Sequence, residues 1–150
     1  MQKHLTFFIA LFISLSSIAQ VNLDSLWNVW NDNTQADTMR LKAIHKIAWD
    51  GYLFTKPDSA FYFAQLEYDF AVAINNKKWM ANALNIQGAS FYLKGEYAKA
   101  IDYYTKSLKI KEEIGDKEGI ANSLNNIGLI YNDQGDYSKA IDYYTKSLKI

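Results

Sequence analysis

Catalysis needs acids, bases or nucleophiles at matched spacings, and this sequence is poor in them. It has two histidines and no cysteine. The missing cysteines exclude disulfides, thiolate metal sites and cysteine nucleophiles. His4 falls in an N-terminal apolar segment. His45 lacks the second histidine that a helical H-E-x-x-H zinc site needs, so a groove or surface role is expected for it. Glu112, Glu113, Asp116 and Glu118 cluster, but Lys109, Lys111 and Lys117 interleave. That mixture describes a solvated helix end better than a metal site. Gly88, Gly95, Gly128 and Gly135 recur at a fixed period and do not make a phosphate-cradling loop. Tyr103-Tyr104 and Tyr143-Tyr144 could stack on bases, yet no basic groove accompanies them. Sixteen basic residues balance sixteen acidic ones, with no long run of one sign. No catalytic residue, metal, cofactor or nucleic-acid partner is therefore expected.

The elements that carry these residues are set by a repeat. AIDYYTKSLKI occupies residues 100–110 and again 140–150. With 81–110 set over 121–150, nineteen of thirty positions are identical. A fainter copy spans 41–80, where Ala60 matches Ala100 and Ala140, and Ala48 matches Gly88 and Gly128. One period of forty residues in three registers marks stacked units.

Each unit reads as two helices. Leu124, Ile127, Gly128 and Tyr131 form one helical stripe, and Ile141, Tyr144 and Leu148 form the next. NDQGD, residues 132–136, is a turn by composition, with Asp136 placed to cap the helix after it. Pro57 falls in a first helical turn, where a missing N–H costs nothing. Gly115 and Asp116 suit the end of one helix and the cap of the next, and Asn75 and Asn76 do the same one unit earlier. The pattern predicts helices near 38–54, 57–74, 77–94, 97–114, 117–134 and 137–150. A shorter helix with Leu23, Leu26, Trp27 and Trp30 precedes them, expected to cover the first unit. Gly88 and Gly128 are expected to let helices approach closely, facing Ala100 and Ala140.

This pattern resembles the tetratricopeptide repeat, a helix-turn-helix unit that stacks into a superhelix. The third unit carries its signature as Leu124, Ile127-Gly128, Tyr131, Ala140, Tyr144 and Ser147. The second gives Leu84, Gln87-Gly88, Phe91, Ala100, Tyr104 and Ser107. The first gives Ile44, Ile47-Ala48 and Ala60, but departs at Gly51, Ala64 and Glu67, where Tyr52 and Phe63 could supply the missing bulk. The period is longer than the family's usual 34, and units of this length look like those of cargo- and adaptor-binding members. The resemblance implies an all-α fold, an α-α superhelix over residues 38–150. Its units are about 41–80, 81–120 and 121–150, the last incomplete, preceded by a capping helix and loop at 20–37.

In such an array the first helices of the units line a concave groove. The residues opposite each core stripe face it. These are Asn122, Asn125, Leu129 and Asn132 in the third unit, and Asn82, Asn85, Ala89 and Tyr92 in the second. In the first they include His45, Trp49 and Tyr52. Asn82 with Asn122, and Asn85 with Asn125, form ladders of side-chain amides. An amide both donates and accepts, so a ladder suits the backbone of an extended peptide. The resemblance implies a peptide or protein partner at these positions.

The first nineteen residues are a different text. Lys3 precedes LTFFIALFISLSSIA, which has no charge, and Ser17 and Ala19 offer small residues for cleavage. This reads as a secretory signal cut after Ala19, or as an uncleaved anchor. Either way the expected location is periplasmic or extracellular. Exported bacterial proteins that look like this are often the outer part of a membrane-linked nucleotide cyclase or histidine kinase, the alternative to a plain binding module. By analogy with Ile110, about four further residues would complete the last helix, and another unit or a polar cap would cover it.

Overall fold

The computed structural model describes residues 22–150. The expected signal, 1–19, lies outside the described residues. Among those described there are seven α-helices, one π-helical segment and no strand. The helices are α1 (Leu23–Asn31), α2 (Asp37–Lys46), α3 (Pro57–Ala73), α4 (Lys77–Leu93), α5 (Tyr97–Ile114), α6 (Lys117–Asp133) and α7 (Tyr137–Leu148). The π-helical segment, Ile47–Tyr52, continues α2. Each helix packs against the one before and the one after. The short turns between them make neighbours antiparallel.

The turn chemistry is local and follows the residues that carry it. Gly115 is left-handed at φ 69°, and Asn75 takes the same role at φ 54°. The residue after each caps the next helix: Asn76 accepts from Trp79 N at 3.3 Å and Asp116 from Gly119 N at 3.0 Å. Asp136 caps α7 by accepting from Lys139 N at 3.2 Å. Pro57 opens α3.

Two expectations are corrected. The helix expected over 38–54 changes to π-helical geometry at Ile47. A π turn inserts one extra residue, and the first unit has Gly51 where the others have Phe91 and Tyr131. The wider turn brings Tyr52 into the aromatic place. Tyr52 packs on Phe63 with centroids 4.9 Å apart, as Phe91 packs on Tyr103 at 5.4 Å and Tyr131 on Tyr143 at 5.5 Å. Gly51 is left beneath α1, where an added Cβ would stand 2.7 Å from Leu23 Cδ2. The second correction concerns the glycines of the first helices. What faces Gly88 is the Tyr104 ring, 2.8 Å from where a Cβ would be, and Tyr144 faces Gly128 at the same distance. The glycines make room for a ring, not for an alanine.

A serine repeats across the two better-matched units. Ser107 Oγ donates to the Ala81 carbonyl at 2.8 Å, and Ser147 Oγ to the Ala121 carbonyl at 3.0 Å. At the start of the array α1 packs on α2 and the π-helical segment. Arg40 fixes it there: its guanidinium lies 4.5 Å from the Phe70 ring and 5.3 Å from Trp30, while Nε donates to the Trp30 carbonyl at 3.0 Å. Trp27 meets Phe63 edge-on at 5.5 Å. At the other end α7 leaves Ile141 and Leu148 exposed.

Candidate functional site: a groove across three units

The end of α2 with the π-helical segment, and the N-terminal halves of α4 and α6, open on one cavity of about 490 Å³. Six of the residues expected on the groove line it: His45 and Trp49, Asn82 and Asn85, Asn122 and Asn125. His45, Asn85 and Asn125 hold equivalent places in three successive units, Asn82 and Asn122 match about one turn earlier, and Trp49 lies one turn beyond His45. Five other expected residues lie outside it. Ala89, Tyr92, Leu129 and Asn132 sit further along α4 and α6. Ten residues separate Asn82 from Tyr92, about 15 Å of helix. Ala89 is buried in the core, and Leu129 and Asn132 are exposed. Tyr92 bridges the units instead: its hydroxyl donates to Asp133 Oδ2 at 2.7 Å. That bond to a carboxylate pushes the phenol up to about 12. Tyr52 is turned onto Phe63 by the π turn and does not reach the cavity.

The ladder is diagonal. Asn126 Nδ2 donates to Asn85 Oδ1 at 3.2 Å. The rung therefore joins Asn85 to Asn126, one residue beyond the expected Asn125. Asn126 stands where the second unit has Ile86, and a polar residue at an apolar place was the available signal. With Oδ1 engaged, the Asn85 amide keeps donors for a ligand, and the Asn126 oxygen keeps acceptor capacity.

His45 holds the place that Asn85 and Asn125 hold in the later units. Its Nδ1 lies 3.1 and 3.2 Å from the two oxygens of Glu67, a fully buried carboxyl group. Burial pushes that carboxyl above its ordinary value, and the His45 contact draws it back. Trp79 meets the His45 ring edge-on at 5.5 Å, which fixes the ring's plane in the wall. Glu67 occupies the serine place of the later units, so the departure from the family pattern has a local purpose: it orients the first rung.

Charged residues that sequence reasoning had assigned to a solvated helix end also reach the cavity. Lys111, Asp116, Glu118 and Gly119 line it, with Lys78 opposite on α4. Glu112 and Glu113 remain at the surface, Glu113 paired with Lys77 at 2.9 Å. Among the described residues, no group of three or more His, Asp or Glu side chains could hold a metal ion. No described helix is long and apolar enough to cross a membrane. The paired tyrosines are absorbed by packing: Tyr104 and Tyr144 lie on the glycines, while Tyr103 and Tyr143 pack on Phe91 and Tyr131.

Residues 79–150 match the family model described as tetratricopeptide repeat. These residues are tetratricopeptide repeats. Its fold is similar to the crystal structure of the TPR domain of Arabidopsis FLU, with a TM-score of 0.67 and 22% sequence identity. That likeness covers 76% of this chain and 96% of the FLU domain. No curated protein sequence matches this one significantly. Tetratricopeptide repeats build protein–protein interaction modules, and the cavity lies on the helices that line the concave side of such arrays.

Proposed function

We propose that this chain is an exported binding module that holds an extended peptide, or an extended segment of a protein partner, in the groove of its first helices. What carries the reading is one observation: three successive units contribute His45, Trp49, Asn82, Asn85, Asn122 and Asn125 to a single cavity. An extended backbone presents alternating donors and acceptors. Amide side chains answer both, and Trp49 offers an apolar wall beside them. The expected signal at 1–19 supports export. Glu67 and Trp79 hold the first rung in place before a ligand arrives, which lowers the ordering cost of binding.

The test is selection from a displayed random-peptide library, followed by the double variant Asn85→Ala, Asn125→Ala. Asn125 is exposed and Asn85 half-buried, so the fold should survive both changes. Selected peptides should bind the variant at least about tenfold more weakly, the equivalent of one good hydrogen bond. Peptides that bind both proteins equally would remove the ladder from the reading.

A further inference from the structure

The first rung of the groove differs from the later two in being titratable. Where the first unit has His45 and Glu67, the second has Asn85 and Ser107, and the third Asn125 and Ser147. An amide keeps its donors and its acceptor at every ordinary pH, and an imidazole does not. His45 Nδ1 lies 3.1 and 3.2 Å from the two Glu67 oxygens, the geometry of one N–H shared by both. Among the described residues Nε2 makes no hydrogen bond, and no buried side-chain nitrogen or oxygen is left unpaired. Nε2 is therefore accessible, on a ring that lines the cavity and whose plane Trp79 holds. Glu67 is fully buried, and among the described residues His45 is the charged group that acts on it.

The protons of the pair can be counted. When it holds one, that proton lies on Nδ1 against the carboxylate, and Nε2 is a bare acceptor. When it holds two, Nε2 carries a proton whichever way the inner one leans. The pair is then an imidazolium beside a carboxylate, or a neutral imidazole accepting from a carboxylic acid. One added proton thus turns Nε2 from an acceptor into a donor. We infer that the His45–Glu67 pair is a proton-set selector on the first rung, meeting a ligand N–H in the one-proton form and a ligand carbonyl in the two-proton form. The inference rests on the groove reading above. The two groups titrate as a unit. Burial opposes the ionised carboxylate, which favours the two-proton form, present at lower pH and lost as pH rises. On α2, Lys46 is paired with Asp50 at 2.6 Å, Arg40 is turned to Trp30, and Lys42 is exposed. Asp24 of α1 and Asp69 of α3 are exposed, Asp69 accepting from Gln65. Around the cavity stand Lys78, Lys111, Asp116 and Glu118, two cations and two carboxylates.

The experiment begins on the whole chain without ligand. Proton–nitrogen correlation spectra of the imidazole should show Nε2 bare at about pH 8 and protonated at about pH 5, the two sides of the range in which histidines ordinarily titrate. Peptides are then selected from a displayed random library at each pH. Those selected at the higher pH should bind about tenfold or more weakly at the lower. N-methylation of one backbone N–H should remove that dependence. Peptides selected at the lower pH should show the reverse preference. The double variant His45→Asn, Glu67→Ser copies Asn85 and Ser107 and should fold, and it should bind each peptide alike at both pH values. Glu67→Gln, the second variant, keeps the ring and the buried volume. Its amide pairs with either tautomer, so Nε2 should no longer be wholly bare at the higher pH. The inference falls if Nε2 keeps one state at both pH values, if the parent binds its peptides alike at both, if the pH dependence survives in the double variant, or if Glu67→Gln leaves the nitrogen spectra unchanged. Peptides that ignore pH yet weaken on the Asn85→Ala, Asn125→Ala variant would overturn the selector and leave the groove reading standing. A library with no binder at either pH would sink both.

Discussion

Residues 100–110 of α5 recur as 140–150, which run through α7 and just past its end, in two different surroundings. Tyr104 is 4% exposed, whereas its copy Tyr144 is only half-buried. Leu108 is half-buried against the core, whereas Leu148 is 88% exposed. Ile101 and Ile141 differ in the same direction. What does not differ is the contact inside each hairpin. Both serines reach back to a carbonyl of the preceding helix, and both tyrosines cover a glycine. The repeat thus encodes two sets of interactions on one helix. One set is satisfied within the unit, and the other is made only where another helix packs on it, as α6 does on α5.

Truncation of the tyrosines should separate the two sets most clearly. Tyr104→Ala empties a buried site and should cost about 3–5 kcal/mol, as large aromatic truncations in cores do. Tyr144→Ala removes a ring that already meets water on one side, so its cost should be clearly smaller. Urea denaturation of the two variants and the parent decides this. Equal losses would break the distinction between inner and outer contacts. Changing the glycines probes the same contact from the other side. Gly88→Leu drives a side chain into a ring that its neighbours hold fast, and should cost about 1–3 kcal/mol. Gly128→Leu meets the same ring at the same 2.8 Å, but Tyr144 has space to turn outward. Its melting temperature should fall by less.

The sequence and the structure agree where residues near in the chain settle the matter. Asn75 and Asn76, Gly115 and Asp116, and Pro57 all do what their types and places imply, because caps and turns are decided within four residues. The forty-residue period carried the helix pairs for the same reason: each unit repeats a local pattern. The groove was legible in part. Six of its expected residues share the cavity because they fall within the same short stretch of successive first helices. What escaped were pairings between residues far apart in the chain. Asn126 meets Asn85 forty-one residues away, Glu67 meets His45 twenty-two away, and Lys111 meets Ser123 across a joint. Each depends on how neighbouring helices are offset, by a residue or a fraction of a turn, and a repeat alignment assumes no offset. The π turn is a further case. It is invisible as a period, but Gly51 at an aromatic place marks where the helix must shift to recover Tyr52.

The smallest expected effect sharpens the comparison most. Leu108→Ala and Leu148→Ala delete the same side chain from the same sequence. Leu108 packs against the core, so its loss should cost about 1–3 kcal/mol, below the full range for a wholly buried leucine. Leu148 has little surface to lose, and its substitution should stay within about 0.5 kcal/mol. The pair should be measured by thermal unfolding at several protein concentrations. If Leu148→Ala is as costly as Leu108→Ala, the face of α7 must be covered in solution. A cost that grows with concentration would identify that cover as another copy of the chain. A cost that is large but independent of concentration would mean that the helix packs against its own chain. Near-zero cost at every concentration leaves α7 as the structure shows it, with half of its interactions made and half still open.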